Sequence, residues 1–68
     1  MLTQQKIHEL FNQGMLFFYN TKILGKSQST PILNKCYMEI FNKGFNCAKG
    51  HYENHIAYYG TSKGYKMP

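Results

Sequence analysis

Apolar residues recur at intervals of three and four along much of this chain, which is the spacing of one face of an α-helix. In the N-terminal third, Thr3 precedes the pattern, and its hydroxyl can accept a hydrogen bond from an unpaired backbone N–H. The sequence therefore predicts a first helix near residues 3–19. The residues that carry this pattern are Ile7, Leu10, Phe11, Gly14 and Phe18.

A second helix is predicted near residues 31–43. Pro31 suits the first position of a helix, where its missing N–H leaves no partner unsatisfied, and Thr30 can cap that helix. The sequence from Phe41 to Gly44 resembles a helix end in which the glycine adopts a left-handed conformation.

A third apolar stripe predicts a helix near residues 45–58, which the glycine at position 50 interrupts. The fold expected is all-α: a small three-helix domain with a flexible basic C-terminal tail. Residues 1–59 would form the single helical domain, and residues 60–68, which contain glycines, lysines and a proline, would form the flexible tail. The third stripe consists of Phe45, Ala48, Tyr52, Ile56 and Tyr59.

Two seven-residue stretches of the chain resemble each other at an offset of 30 residues. They begin at Glu9 and Glu39, and each contains a glycine, Gly14 and Gly44 respectively. Two copies are too few for a solenoid, which needs at least three repeats. We interpret the echo as two helices with similar starts and ends; the alternative is a structural repeat in which the first helix bends near Gly14.

The size of the chain limits how much apolar surface it can bury. A domain of 68 residues buries only about 60% of its unfolded surface and commonly needs a disulfide, a metal or a partner subunit. The run from Met15 to Tyr19 is apolar on all sides of a helix. Part of this run is therefore expected to contact a partner, and a homodimer that buries it is compatible with this expectation.

The net charge of +5 comes with eight lysines and no arginine. A basic surface favours anionic partners, and lysine favours phosphate contacts over base-specific ones because it lacks the planar fork of arginine. The abundance of Asn, Lys, Tyr, Phe and Ile is typical of an AT-rich genome, such as that of a phage or mobile element.

Cys36, Cys47, His51 and His55 are the residues best suited to hold a metal. Thiolates and imidazoles are zinc ligands, but three of these residues would span about 12 Å on a straight helix, so the glycine at position 50 would have to break it. The favoured interpretation is two buried thiols and two surface histidines, with no cofactor.

The same cysteines and histidines are the only candidates for nucleophilic catalysis. Cys36 or Cys47 would need a histidine within hydrogen-bonding distance and a third group to orient it. A chain this small has little room for a preformed pocket. We therefore predict that the protein is not an enzyme.

No apolar run approaches the 18 or so residues that span a bilayer, and the N-terminal sequence does not resemble a signal peptide. The expectation is a cytoplasmic protein with reduced thiols and no membrane partner.

The leading hypothesis is a small non-enzymatic binding protein, encoded by a phage or mobile element, that docks on a larger host protein or nucleoprotein complex and inhibits or otherwise modulates it. Direct binding of DNA or RNA through lysines and tyrosines is the first alternative. A zinc-stabilised interaction module is the second. The predicted partner-binding residues are Met15, Leu16, Phe17, Tyr19, Lys43, Lys49, Tyr52, Tyr58, Tyr59, Lys63, Tyr65 and Lys66.

Overall fold

The fold is a pair of α-helices joined by a long extended connection. A computed structural model describes residues 3–66 and contains helix α1 (Gln4–Phe18), a π-helical turn (Tyr19–Ile23) and helix α2 (Lys35–Tyr59). No β-strand occurs within these residues. The prediction of a mostly helical protein is confirmed, but the described residues form two α-helices rather than three.

The two helices run parallel to each other. Near their N-termini, the Lys6 ammonium lies 5.5 Å from the centre of the Tyr37 ring. Near the other end of α1, the ring of Phe18 lies 5.8 Å from that of Tyr52. Contacts therefore advance in the same direction along both helices, at a sequence offset near 30 residues.

This parallel arrangement explains the extended connection. The chain must return from the end of the π-turn to the start of α2, a distance of about 30 Å for 20 helical residues. Residues 24–34 are almost entirely without regular structure, and an extended chain covers about 3.3 Å per residue. Eleven extended residues reach about 36 Å and can span this distance, whereas eleven helical residues would reach only about 17 Å.

The helices cross at Gly14 and Gly44, and the contact is reciprocal. A Cβ atom placed on Gly14 would overlap the carbonyl oxygen of Phe41 and lie 2.8 Å from the nitrogen of Phe45. A Cβ atom on Gly44 would overlap the carbonyl oxygen of Phe11. The absence of side chains at both positions lets one backbone rest directly on the other, as small residues do at other close helix crossings.

The two similar stretches of sequence therefore contain the glycines at which the helices cross. Gly14 and Gly44 are equivalent positions of the echo, and each faces the phenylalanine three residues before the other. The interpretation as similar starts and ends was wrong, because Gly44 does not end a helix and α1 likewise continues through Gly14.

The buried core lies around the crossing. It consists of two large and two smaller side chains close to the glycines, and the Phe18 side chain is only 4% exposed. The small Ala48 occupies the position of α2 that corresponds to Phe18 in α1, so a large ring on one helix fits beside a methyl group on the other. The buried apolar residues are Leu10, Phe18, Phe41 and Ala48.

The predicted start of the second helix was wrong. Residues 31–34 are not helical, and α2 begins after Asn34, whose side-chain oxygen accepts a 2.8 Å hydrogen bond from the backbone N–H of Tyr37. Pro31 belongs instead to the extended connection. Starting the helix there would shorten the connection by several ångströms, and the parallel return would then be out of reach.

The predicted helix end at Gly44 was also wrong. Helix α2 continues through Gly44 and Gly50 for 25 residues, which merges the predicted second and third helices. Gly44 is used for close approach to α1, not for a left-handed turn. The left-handed glycine that ends α2 is Gly60, with φ of 73° and a backbone N–H that donates to Ile56 O at 2.7 Å.

The structure does not support the predicted flexible tail over its described part. Residues 60–66 form turns that fold back on α2, and the ring of Tyr65 packs 5.1 Å from that of Tyr52. Residues 1–2 of the predicted domain and residues 67–68 of the predicted tail lie outside the described residues.

Candidate interaction surface

The C-terminal end of α2 has no partner helix. At the offset of the crossing, the end of the π-turn at Ile23 corresponds to Glu53, so residues 54–59 extend beyond α1. The turns of residues 60–66 cover one side of this extension. The other side is open to solvent, because no second helix reaches it.

A continuous series of aromatic contacts leads from the helix crossing to this end. It begins with Phe17, whose ring lies 5.5 Å from that of Phe41, and passes through Phe18 to Tyr52. Tyr65 then packs against His55, with ring centres 5.4 Å apart. Edge-to-face contacts of this kind add stability beyond the area that they bury. The C-terminal turns are thus attached to the core by rings.

The last rings in the series are exposed. His55 stacks on Tyr59 at 4.6 Å, and Tyr59 contacts Tyr58 at 4.7 Å. The side chains of Tyr58 and Tyr59 are 82% and 64% exposed. Two large rings that contact each other and are open to solvent offer a contact surface, because tyrosine rings bury much area when a partner covers them.

Two lysines frame these rings. Lys63 and Lys66 are exposed, and the carbonyl oxygen of Lys63 lies 3.3 Å from Nε2 of His55, within hydrogen-bonding distance. A shallow groove lined by His55, Tyr59, Lys63 and Lys66 runs between α2 and the turns. We call the surface formed by Tyr58, Tyr59, His55, Lys63 and Lys66 the C-terminal surface.

The hydroxyl of Tyr65 lies inside this end of the molecule. Its oxygen is buried and has no hydrogen-bonding partner among residues 3–66. Burial raises the pKa of Tyr65 above its ordinary value, and the nearby Cys47, Tyr19 and Tyr52 raise it further. Tyr65 is thus a packing residue that joins the turns to α2, and Tyr58 and Tyr59 offer the accessible rings.

The predicted binding residues on α1 occupy different environments. Met15, Phe17 and Tyr19 are half-buried, whereas the Leu16 side chain is 45% exposed. The apolar residues of this run are therefore only partly covered, and Phe17 packs against Phe41 and Phe45 of α2. Leu16 is the most accessible of the four.

The predicted residues on α2 and in the turns that follow it lie in two separate places. Lys43 is exposed near the helix crossing, and Lys49 is exposed beyond it. Tyr52 is half-buried, and its ring packs against that of Tyr65. Tyr58, Tyr59, Lys63 and Lys66 lie together at the C-terminal end. The structure therefore brings Tyr58, Tyr59, Lys63 and Lys66 together but leaves Lys43 apart from them.

The proposed metal ligands do not converge. Cys36, Cys47, His51 and His55 all lie on the continuous helix α2, and the two thiols are about 16 Å apart along its axis. Within residues 3–66 no group of three or more metal-binding side chains comes together. The structure therefore does not bring the four residues of the alternative zinc site together, because the glycine at position 50 does not break the helix.

The two cysteines are both free, and only part of the expectation about them holds. Cys47 is half-buried, but Cys36 is exposed on the first turn of α2 and is not a buried thiol. His51 is exposed as expected, whereas His55 is half-buried among the rings of Tyr59 and Tyr65.

The sequence did not predict that Lys22 and Lys49 lie beside the same groove, although Lys49 was among the predicted binding residues. Lys22 lines a groove beside Phe18, and Lys49 lines the same groove beside Phe45. The available signal was a phenylalanine followed four residues later by a lysine, which occurs in both halves of the chain. That signal becomes meaningful only when the helices are known to be parallel.

Comparisons with protein-family models, with curated proteins and with solved structures find no match to this chain. Over the described residues, neither helix combines the length and the apolar character that crossing a membrane requires.

Proposed function

We propose that this chain is a small non-enzymatic binding protein that docks its C-terminal surface on a larger protein or nucleoprotein complex and thereby inhibits or otherwise modulates it. The supporting observation is the exposure of Tyr58 and Tyr59 beside Lys63 and Lys66, at a helix end that, among residues 3–66, only the C-terminal turns cover, and only on one side. The compositional bias favours a phage or mobile element as its source.

Tyrosine and lysine have distinct roles in such a surface. Tyrosine is frequent among the residues that dominate binding energy, because its ring buries much area and its hydroxyl still finds a polar partner. Lysines around the rings guide the surface to an acidic patch and raise the rate of association. We therefore expect a partner with an acidic rim around an apolar depression.

The test is a pull-down from an extract of the source cells, made with and without nuclease. The bait is the wild-type chain or the double variant Tyr58→Ala/Tyr59→Ala, with Ile32→Ala as the control because Ile32 is fully exposed on the connection, near the other end of the helix pair. We expect a discrete protein partner that survives nuclease and is lost with the double variant only. Recovery of the same proteins by all baits would contradict the proposal.

Direct binding of single-stranded nucleic acid is the second candidate, and the same rings support it. Exposed tyrosines can stack on unpaired bases, and lysines can neutralise phosphates. This function predicts retardation of a single-stranded oligonucleotide, with an affinity that falls steeply as salt is raised. A flat salt response, or no retardation at low salt, would exclude it and leave the protein-docking function.

A further inference from the structure

A second groove lies away from the C-terminal surface, between the end of α1 and the middle of α2. Its volume is about 530 Å³, within the usual range for small-molecule sites. It is lined by Phe18, Lys22, Phe45, Lys49, Tyr52 and Glu53. We call it the phenylalanine–lysine groove.

The floor of this groove is aromatic and fixed. The rings of Phe18 and Phe45 meet edge to face with centres 5.3 Å apart, and Phe18 also contacts Tyr52 at 5.8 Å. Phe18 is buried in the core, so it cannot turn away from its neighbours without disturbing the helix crossing. The floor is therefore a preformed apolar surface.

The π-turn carries one of the two lysines at the rim. Its Thr21 hydroxyl donates a 2.6 Å hydrogen bond to the carbonyl oxygen of Phe17, which satisfies an acceptor where the backbone bonding pattern changes. Lys22 follows directly and borders the groove. π-Helical turns occur frequently at functional sites, where they alter the direction of side chains.

The charges at the rim favour an anion. Lys22 and Lys49 come from the two different helices, and Glu53 is the single acidic residue among the lining residues. The groove therefore has a net charge of +1, which one negative charge would neutralise. The ammonium groups can remain in water while their alkyl stems extend the apolar walls.

We infer that the phenylalanine–lysine groove binds a small apolar monoanion, specifically an aliphatic carboxylate. The alkyl chain would lie on the rings of Phe18, Phe45 and Tyr52, and the carboxylate would lie between Lys22 and Lys49. A neutral alkyl chain would gain nothing from the two lysines, and an alkyl cation would meet two like charges. This inference does not depend on the proposed function, because none of these residues belongs to the C-terminal surface.

The experiment is an NMR titration of the ¹⁵N-labelled full chain with sodium octanoate, compared with octan-1-ol and octylammonium chloride. We expect saturable shifts at residues 18, 45 and 52 with octanoate, and much weaker binding of the alcohol and the ammonium ion. Equal binding of the alcohol would overturn the inference, as would shifts confined to residues 58, 59, 63 and 66.

Charge variants sharpen the result. Lys22→Gln/Lys49→Gln should weaken octanoate binding by about tenfold, since each exposed charge pair contributes only modestly to binding. Glu53→Gln should strengthen it, and Lys43→Gln serves as a control that removes the same charge outside the groove. All these side chains are at the surface, so circular dichroism should show that the variants fold. An unchanged affinity of the double variant would overturn the inference.

Discussion

Helix α2 contains two interior glycines, and their surroundings differ completely. At Gly44 the backbone of α1 lies so close that a methyl group would overlap it, whereas at Gly50 nothing lies within 4 Å of the position that a Cβ atom would occupy. Glycine weakens a helix by about 1 kcal/mol relative to alanine at either position. Only at Gly44 is there a tertiary contact that can offset this loss of stability.

The same contrast extends to the surroundings of the helix crossing and of the C-terminal end of α2. Around Gly14 and Gly44 the backbones touch, and the large side chains beside them are buried. Around residues 54–59 the helix has no partner helix, and its rings are exposed. The first region accounts for the stability of the fold, and the second is the surface through which we propose that it binds.

The largest effect is expected from alanine at the crossing. Gly14→Ala or Gly44→Ala should lower the free energy of unfolding by about 3 kcal/mol, because the helices must move apart to admit a methyl group. Gly50→Ala is the matched control and should raise it by about 1 kcal/mol. Urea denaturation measures all three. A wild-type stability for Gly44→Ala would show that the backbones do not meet there.

The next effect distinguishes the core from the connection. Leu10 is fully buried beside the crossing, whereas Ile32 is fully exposed. Leu10→Ala should cost about 2–5 kcal/mol, and Ile32→Ala should change the free energy of unfolding by less than about 0.5 kcal/mol. Thermal and urea denaturation provide the measurement. Comparable losses for both variants would place Ile32 in a contact that this fold does not contain.

A smaller effect tests where α2 begins. Asn34→Ala removes the hydrogen bond to the Tyr37 N–H and should cost about 1 kcal/mol. Thr30→Ala removes the cap that the sequence suggested and should have almost no effect, because residue 30 lies in the extended connection. If Thr30→Ala proved the more damaging variant in urea denaturation, then the helix would begin at Pro31 after all.

The smallest effect concerns the attachment of the C-terminal turns. The pKa of Tyr65 is raised above its ordinary value of 10.0, chiefly by burial. The unfolded chain therefore loses the proton at lower pH than the folded chain, and stability should fall as pH rises through and above 10.0.

Tyr65→Phe removes this titration and keeps the ring, so its stability should fall less steeply over the same alkaline range. The comparison of the two proteins cancels the titration of the lysines. Identical slopes in urea denaturation between pH 9 and pH 11 (about one unit on either side of the ordinary tyrosine pKa) would show that the hydroxyl is not buried on folding.

Local signals along the chain were sufficient for part of this picture. The spacing of Ile7, Leu10 and Phe18 predicted α1 closely, and the Thr3 cap is present, with its hydroxyl accepting from the Lys6 N–H at 3.1 Å. The grouping of Tyr58 and Tyr59 with nearby lysines was also visible, because these residues lie close together in the sequence.

The sequence by itself determined that the chain is helical, because helical spacing and capping depend on residues within one or two turns. Only the tertiary structure decided what Gly44 does and whether Lys22 and Lys49 share a groove. Glycine permits both a helix end and a close helix crossing, and its neighbours in sequence do not distinguish the two. The choice depends on a second backbone that arrives from 30 residues away, parallel to the first.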